Sequence, residues 1–320
     1  MFDLNEIIDK NDIYKSISNY KLDKKYYDST ILENRNIDNI TGSIQKGLII
    51  KRSNLKAFPT FNIFEDGIDD LNQESELHVG LPVLILHTSL DNKWFYIRLF
   101  NYEGWTLQEN INIVNDKTFD TFFNCPLYII ITEPLIEIDN FYLDMSVKLP
   151  LINENIDSYD VLFPNKKIYQ LKKNICCKGY LKQDFKTLIN QAKKYLNTKY
   201  GWGGIDNKVD CSSFVGNVFR TFNIFMPRNT REQKDYIGIK TDTSNLSENE
   251  IKAILNNTVN PTLLYTKKHV MFYFKKEKNE HFVIHASSFS RKVQIDTLSS
   301  VNNKNLYSEI ISINEIILFI

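Results

Sequence analysis

The stretch from Tyr200 to Gln233, YGWGGIDNKVDCSSFVGNVFRTFNIFMPRNTREQ, constrains the fold of this 320-residue chain more than any other. After Cys211, apolar residues recur at the three- and four-residue spacing of one buried helical face. Asp210 directly precedes this run and is a typical N-cap, which places Cys211 in the first helical turn. A thiol there faces the positive end of the helix dipole, so we expect its nucleophilic thiolate form to be favoured. The alternative is a small buried hydrophobe, the common state of a free cysteine.

Two of the five histidines, His269 and His285, flank a segment that is typical of a β-hairpin. Residues 269–274 and 281–286 are aromatic and β-branched, and the charged segment 275–279 between them predicts a five-residue loop. A loop of that length places His269 directly opposite His285 on one face of the sheet. A base histidine oriented by a second polar group suits a cysteine nucleophile. The alternative is a pair of histidines on an exposed strand face.

The segments YGWGG, DCSSFV, FxMPRNTREQ, HVMFYF and HFVIHASS, in this order from about Leu181 onward, resemble the NlpC-type papain-like cell-wall peptidases. The resemblance is to γ-D-glutamyl-L-diamino acid endopeptidases, and more closely to dipeptidyl-peptidase VI-like enzymes with two N-terminal SH3-like domains. It implies a thiol protease in which Cys211 is the nucleophile, His269 the base and His285 the group that orients the base. It implies no cofactor. A metal site at the histidines is less favoured, since no carboxylate lies at the i+4 ligand spacing.

The same resemblance implies a substrate. Members of the family cut murein stem peptides between γ-linked D-glutamate and L-lysine or meso-diaminopimelate, and relatives with this domain layout require a free N-terminal L-alanine and release L-Ala-γ-D-Glu. The implied substrate-binding residues are Glu74, Tyr102, Tyr200, Trp202, Asp210, Ser212 and Thr230.

Several of these residues have a simpler interpretation. Glu74 is otherwise a solvated loop charge and Tyr102 a barrel aromatic, while Asp210 also serves as the helix cap. We interpret Arg228 and Arg231 as surface or structural residues. His281 is the main rival of His285 as the partner of the base, because it lies four residues earlier on the same predicted strand.

The fold class predicted is an α+β papain-like catalytic domain preceded by two small all-β SH3-like barrels. We expect an N-terminal arm with short helices at residues 1–40, a first barrel at 41–115, a second, diverged barrel at 116–180 and the peptidase domain at 181–320. Short strand-like runs separated by Gly, Asp and Asn turn signals favour barrels in the first part. The order of the motifs in residues 51–105 resembles a bacterial SH3-like domain.

Composition excludes some classes of partner. The chain has 39 basic and 39 acidic residues, which argues against a nucleic acid or an anionic membrane. No apolar run reaches the ~18 residues of a membrane span, and the N-terminus does not resemble a signal sequence. We therefore expect a cytoplasmic protein, assumed monomeric, or an exported one if Met1 is not the native start. The four cysteines do not predict a disulfide framework.

Two other functions remain open from the sequence. A papain-like fold also serves amidases or acyltransferases that act on another γ-glutamyl or acyl substrate. Alternatively, an inactive remnant would bind wall fragments, although the joint presence of Cys211, His269 and His285 argues against an inactive protein.

Overall fold

The computed structural model describes residues 1–6, 8–19, 22–301 and 304–318, and the chain divides into two compact units, Met1–Gly179 and Tyr180–Ile320. The first unit is mostly antiparallel β-sheet with short helices, and the second is α+β. No helix in the described ranges is long and apolar enough to cross a membrane.

The first unit contains α1 and α2 near its start, α3 in its middle and sixteen strands in its described residues. The helices are α1 Lys10–Ser18, α2 Ser29–Asn34 and α3 Asp116–Phe123. The strands are β1 Gln45–Ile49, β2 Ser53–Lys56, β3 Glu65–Asp66, β4 Asp69–Asp70, β5 Gln73–Leu77, β6 Pro82–Thr88, β7 Trp94–Arg98, β8 Glu103–Leu107, β9 Ile111–Val114, β10 Tyr128–Ile131, β11 Leu135–Ile138, β12 Phe141–Asp144, β13 Lys148–Glu154, β14 Ser158–Leu162, β15 Ile168–Lys172 and β16 Cys176–Lys178.

Two larger sheets organise these strands. The first has the order β5-β2-β8-β7-β6-β1-β9 and the second the order β15-β14-β13-β10-β16. Strand β10 is a short apolar run, and its residues Ile129, Ile130 and Ile131 are all fully buried. Apolar side chains from the second sheet form one core cluster, and those of the first sheet form two others. Strands supply most of these clusters, as expected from the short strand-like runs, and Ile13 and Ile17 of α1 and Phe119 of α3 join one of them.

The second unit carries four helices and six strands in its described residues. These are α4 Phe185–Lys193, α5 Cys211–Arg220, α6 Thr230–Tyr236, β17 Ile239–Asp242, α7 Glu248–Asn257, β18 Thr262–Tyr265, β19 Val270–Glu277, β20 Glu280–Ser287, β21 Lys292–Thr297 and β22 Ser312–Glu315. The strands form one antiparallel sheet in the order β17-β22-β18-β19-β20-β21.

Helices cover both faces of this sheet. Phe219 of α5 packs edge-on against Phe272 of β19, with ring centroids 5.5 Å apart. On the opposite face, Ile251 and Leu255 of α7 join a buried cluster with Met271 and other strand residues. The nucleophile candidate lies at the start of α5, so the buried contact of that helix with the sheet fixes where the thiol is held.

The predicted hairpin is present, but the predicted loop length and strand register are wrong. Strand β19 runs to Glu277 and β20 starts at Glu280, so the loop has only two residues, Lys278 and Asn279, with φ of 48° and 66°. Two positive φ values define a type I′ turn, which matches the twist of the paired strands. The turn contains neither Gly nor an Asn-Gly pair, the usual sequence signals of a two-residue turn. The sequence therefore predicts a longer loop.

The register differs from the predicted one by two residues near the histidines. Phe272 pairs with Ile284, whereas the predicted alignment puts His269 opposite His285. Because side chains alternate along a strand, a shift by an even number leaves both histidines on the same face. The prediction of a shared face therefore survives the error in register.

Candidate active site

The start of α5 has the local structure that the sequence predicts. Asp210 is the N-cap in extended backbone (φ −97°, ψ −177°), and its Oδ1 accepts a hydrogen bond of 2.8 Å from the backbone N–H of Ser213. The Ser213 hydroxyl accepts in return from the Asp210 backbone N–H at 3.0 Å, which completes a capping box. Cys211 is the first residue of the helix and is buried. The predicted N-cap and helix start are confirmed.

The cap carboxylate also forms a buried ion pair. Arg228 Nη2 lies 2.6 Å from Asp210 Oδ2, and Arg228 Nη1 donates to the Ser212 hydroxyl at 2.8 Å. Only 6% of Arg228 is exposed, so the structural interpretation of this arginine is correct and the surface interpretation is wrong. The ion pair ties the residue before the nucleophile to the segment that leads into α6.

The glycine-rich turn contributes to the same network. Gly203 has φ of +60°, a left-handed conformation that a side chain disfavours, and its N–H donates to Asp210 Oδ2 at 3.1 Å. Tyr200 lies buried before the turn, bridges Val209 through backbone pairing, and stacks under the Arg291 guanidinium at 4.8 Å. Trp202 is 40% exposed. Two of the predicted substrate-binding residues, Tyr200 and Trp202, therefore flank the turn next to the nucleophile.

The Cys211 thiol is protonated in the resting protein, contrary to the expected thiolate. Burial raises its pKa to about 11, and the neighbouring Asp210 charge acts in the same direction. The backbone N–H of Val270, the Thr230 hydroxyl and the Arg228 charge oppose these effects without overcoming them. The Thr230 hydroxyl lies 3.8 Å from Sγ. Loss of solvation is the largest effect on this pKa, because a buried thiol has little water around it to stabilise a charge.

The two predicted histidines are hydrogen-bonded to each other. His269 Nε2 lies 2.7 Å from His285 Nδ1, and His285 Nε2 lies 3.0 Å from Asp296 Oδ2 in β21. Burial lowers the pKa of His269 to about 3, and the adjacent His285 acts in the same direction, so the imidazole of His269 is neutral at rest. The three residues form a linear chain that ends in a carboxylate.

This chain determines the tautomer of each ring. A carboxylate only accepts hydrogen bonds, so His285 donates from Nε2–H to Asp296 and accepts at Nδ1. His269 must then donate from Nε2–H, which leaves its Nδ1 with a lone pair for proton abstraction. Val270, the next residue, has its backbone N–H against the Cys211 thiol. The thiol and the start of β19 are therefore adjacent in the second unit.

Asp296 is the residue that sequence reasoning missed. It lies opposite Val283 on β21, one strand beyond the predicted hairpin, and it also accepts a hydrogen bond of 2.6 Å from Gln294. The available signal was an aspartate within the strand-like run KVQIDT, because Asp is depleted in strands and needs a reason to be there. The sequence predicts His285 as the group that orients the base, and Asp296 adds a carboxylate one step further along the same chain.

His281, the rival of His285, has other partners. Its Nδ1 lies 2.7 Å from the Tyr307 hydroxyl and its Nε2 lies 3.1 Å from Asn256 Oδ1. Both ring nitrogens are therefore occupied by neutral groups that have no part in the His269 chain. His285 is the partner of His269.

Glu74 and Tyr102 lie together in the first unit. The Tyr102 hydroxyl donates to the Glu74 carboxylate, and both side chains are half-buried. Glu74 belongs to strand β5, so its interpretation as a solvated loop charge is wrong. Their predicted contact with a substrate amine stays a prediction, as do the substrate contacts of Asp210, Ser212 and Thr230.

Comparison with known proteins shows which domain models these residues match. Residues 197–312 match the model of the NlpC/P60 family, and residues 59–106 match an SH3 domain of the SH3b1 type. The chain carries an NlpC/P60 domain and an SH3 domain. The NlpC/P60 family is a family of cysteine-type peptidases, and Cys211, His269, His285 and Asp296 all lie within the matched residues.

Relatives of known name or structure support the same assignment. A γ-D-glutamyl-L-lysine dipeptidyl-peptidase of Bacillus cereus is 27% identical over 161 residues, which are 47% of this chain and 48% of that protein. The match thus spans about half the length of that relative. An NlpC/P60 endopeptidase of Photobacterium damselae superposes with a TM-score of 0.75 at 20% identity, over 96% of this chain and 83% of its own.

A second solved structure is similar as well. An NlpC/P60 family protein of Bacillus cereus has a TM-score of 0.67 at 18% identity, over 84% of this chain and 99% of its own. At these identities the two structures establish the fold: an NlpC/P60 catalytic domain with an N-terminal all-β region of SH3b type.

Proposed function

We propose that the protein is a cysteine peptidase that hydrolyses the bond between γ-D-glutamate and L-lysine or meso-diaminopimelate in murein stem peptides, in peptidoglycan recycling or turnover. It acts on peptides with a free N-terminal L-alanine and releases L-Ala-γ-D-Glu. The observation that carries the proposal is the chain His269–His285–Asp296 in the unit that holds Cys211 at a helix start. The name of the 27%-identical relative supports the choice of bond.

The first half of the reaction forms a thioester. His269 Nδ1 takes the thiol proton as Cys211 Sγ attacks the scissile carbonyl carbon, and the carbonyl π electrons move to oxygen. Backbone N–H groups at the start of α5 are suitable donors to this oxyanion, and one such donor is worth roughly 3 kcal/mol of barrier. The C–N bond then breaks, and the imidazolium gives its proton to the leaving amine of the diamino acid. The acyl group remains on sulfur.

Water completes the cycle in the second half. Neutral His269 removes a proton from water as its oxygen attacks the thioester carbonyl. The C–S bond then breaks, the dipeptide acid leaves, and the imidazolium returns its proton to the Cys211 sulfur. During both halves His269 is transiently cationic. His285 links that cation to the Asp296 carboxylate through two hydrogen bonds of 2.7 and 3.0 Å. A carboxylate at the end of the chain stabilises the imidazolium more than a neutral orienter alone does.

Selection of the substrate amine is assigned to the first unit. We infer two SH3-like barrels there, with the Glu74 carboxylate as the counter-charge for the α-ammonium of L-alanine and Tyr102 holding that carboxylate. An acetylated amine has no charge for Glu74 to bind. The cytoplasmic location stays a prediction from the sequence.

The test compares free L-Ala-γ-D-Glu-L-Lys, its meso-diaminopimelate counterpart and their N-acetylated forms, with the wild-type protein and Cys211→Ala. We expect cleavage of the free peptides, at least tenfold slower cleavage of the acetylated ones, and none with Cys211→Ala. Glu74→Gln should reduce the preference for the free amine while retaining some cleavage. Cleavage that survives Cys211→Ala would contradict the mechanism. Equal cleavage of free and acetylated peptides would favour an amidase or acyltransferase of broader specificity.

A further inference from the structure

A buried cation lies beside the nucleophile, at the end of a network built on Asp210. The Asp210 carboxylate accepts from the backbone N–H groups of Gly203 and Ser213, from the Ser212 hydroxyl and from both Nη atoms of Arg228, at 2.6 to 3.3 Å. A carboxylate has about four lone-pair positions, so these five donors occupy its capacity. Substrate contact with Asp210 would have to displace one of them.

Capping alone does not require this charge. Asn and Ser cap helices about as well as Asp, because the cap needs an acceptor for the N–H groups of the first turn and not an ion. An anion next to Cys211 in fact disfavours the thiolate, and the Asp210 charge raises the thiol pKa. The Asp210 carboxylate thus organises the turn, the helix start and the loop before α6, but it opposes formation of the Cys211 thiolate.

The groups that act on the Cys211 thiol come from several elements. They are Asp210 at the cap, Arg228 and Thr230 before and in α6, the Val270 backbone N–H in β19, and Tyr265 in β18, whose own pKa is raised first by burial and then by the nearby Cys211. Arg228 is the cation in this set. It is 6% exposed, so its charge acts on the thiol with little screening by water.

We propose that Arg228 is a positioning residue for the nucleophile: it offsets part of the charge of the Asp210 cap, so that the helix-start N–H groups and Val270 act on Cys211 against a weakened anion. Its two hydrogen bonds to the carboxylate and the one to Ser212 hold the guanidinium next to the Asp210 charge. The inference rests on the proposed function only in taking Cys211 as the nucleophile.

The experiment measures alkylation of Cys211 by iodoacetamide between pH 7 and 10, which needs no peptide substrate. Each variant carries Cys125, Cys176 and Cys177 replaced by serine, so that the signal comes from one thiol. The variants are Arg228→Gln, Arg228→Lys, Asp210→Asn and the double variant Asp210→Asn/Arg228→Gln. Circular dichroism and a melting curve establish that each is folded.

Opposition of the two charges predicts a pattern of faster and slower variants that a purely structural role does not. We expect Arg228→Gln to react at least tenfold more slowly at pH 8, Arg228→Lys within about threefold of the parent, Asp210→Asn faster than the parent, and the double variant again within about threefold. If Arg228→Gln does not fold, the faster reaction of Asp210→Asn carries the test. A folded Arg228→Gln that reacts like the parent, an Asp210→Asn that reacts no faster, or a double variant as slow as Arg228→Gln would each overturn the proposal.

The alkylation experiment can fail independently of the peptide-cleavage experiment that tests the proposed function. Failure to cleave murein peptides leaves the alkylation pattern intact if only the substrate is misassigned. Loss of the pattern with peptide cleavage retained would remove the role of Arg228 and leave the peptidase proposal standing.

Discussion

Two histidines four residues apart on β20 have different surroundings and different expected roles. His285 joins a second histidine to a carboxylate, with contacts of 2.7 Å to His269 and 3.0 Å to Asp296. His281 contacts a tyrosine hydroxyl at 2.7 Å and an amide oxygen at 3.1 Å. Both rings are buried. The difference is the charge at the end of each chain, because only the first can stabilise an imidazolium formed during catalysis.

The comparison teaches that burial and hydrogen bonding do not identify a catalytic histidine. His281 meets both criteria, and burial lowers its pKa as it lowers that of His269. What distinguishes the first set is a histidine with a lone pair left at Nδ1 and a thiol next to its strand. His281 has both nitrogens bonded and packs under α7, so we assign it to stability.

The largest effect is expected from removing the base. His269→Ala should lower kcat/KM for the free tripeptide by roughly 10³-fold, since general acid–base catalysis contributes 10²- to 10⁴-fold. Circular dichroism should be unchanged. Activity within tenfold of the wild type would show that another group takes the thiol proton.

Asp296→Asn should have the next largest effect. It keeps the size of the side chain and removes the charge, which costs roughly 10- to 100-fold in kcat if a charge-assisted hydrogen bond contributes 1.5–3 kcal/mol to the transition state. KM should change little, because Asp296 does not contact the substrate in the proposed mechanism. An unchanged kcat with a raised KM would place Asp296 outside the proton chain.

The pH profile separates the two states of His269. Its pKa is lowered to about 3, so it is the neutral base at pH 5, and kcat/KM should change less than threefold between pH 7 and pH 5. A histidine with the ordinary pKa of 6.5 would be about 97% protonated at pH 5, and the rate would fall roughly 25-fold between pH 7 and pH 5. Steady-state rates in a buffer series of constant ionic strength measure this, and a fall of that size would contradict a depressed pKa.

The smallest effect on activity is expected at the other histidine. Tyr307→Phe removes the hydroxyl partner of His281 Nδ1 and should lower the free energy of unfolding by about 1–3 kcal/mol, the cost of an unpaired buried polar group. Peptide cleavage should stay within twofold. Urea unfolding and the tripeptide assay measure both quantities. A loss of activity as large as that of Asp296→Asn would remove the distinction between the two histidines.

The parts of the site that the sequence predicts are those that depend on residues close together in the chain. The cap at Asp210 and the buried face of α5 are contained in eleven consecutive residues, Asp210–Arg220, and their prediction is confirmed. The shared face of His269 and His285 depends only on even spacing along two strands. It therefore survived a register that was wrong by two residues.

The parts that were missed depend on contacts between distant segments. Asp296 reaches His285 through the pairing of a third strand, and Arg228 reaches Asp210 across the loop before α6. The resting thiol is another example. The helix dipole is readable from sequence, whereas the burial that raises the Cys211 pKa depends on the packing of the whole unit.

The most direct test of the central claim is to trap the acyl-enzyme. The protein is mixed with the free tripeptide, quenched in acid within the turnover time and digested, and the peptide that contains Cys211 is analysed by mass spectrometry. Catalysis through Cys211 predicts that this peptide gains the mass of the L-Ala-γ-D-Glu acyl group and that a mild hydroxylamine treatment removes it. The Cys211→Ala variant should show neither the adduct nor turnover. An adduct on another residue, or turnover by Cys211→Ala, would contradict catalysis through Cys211.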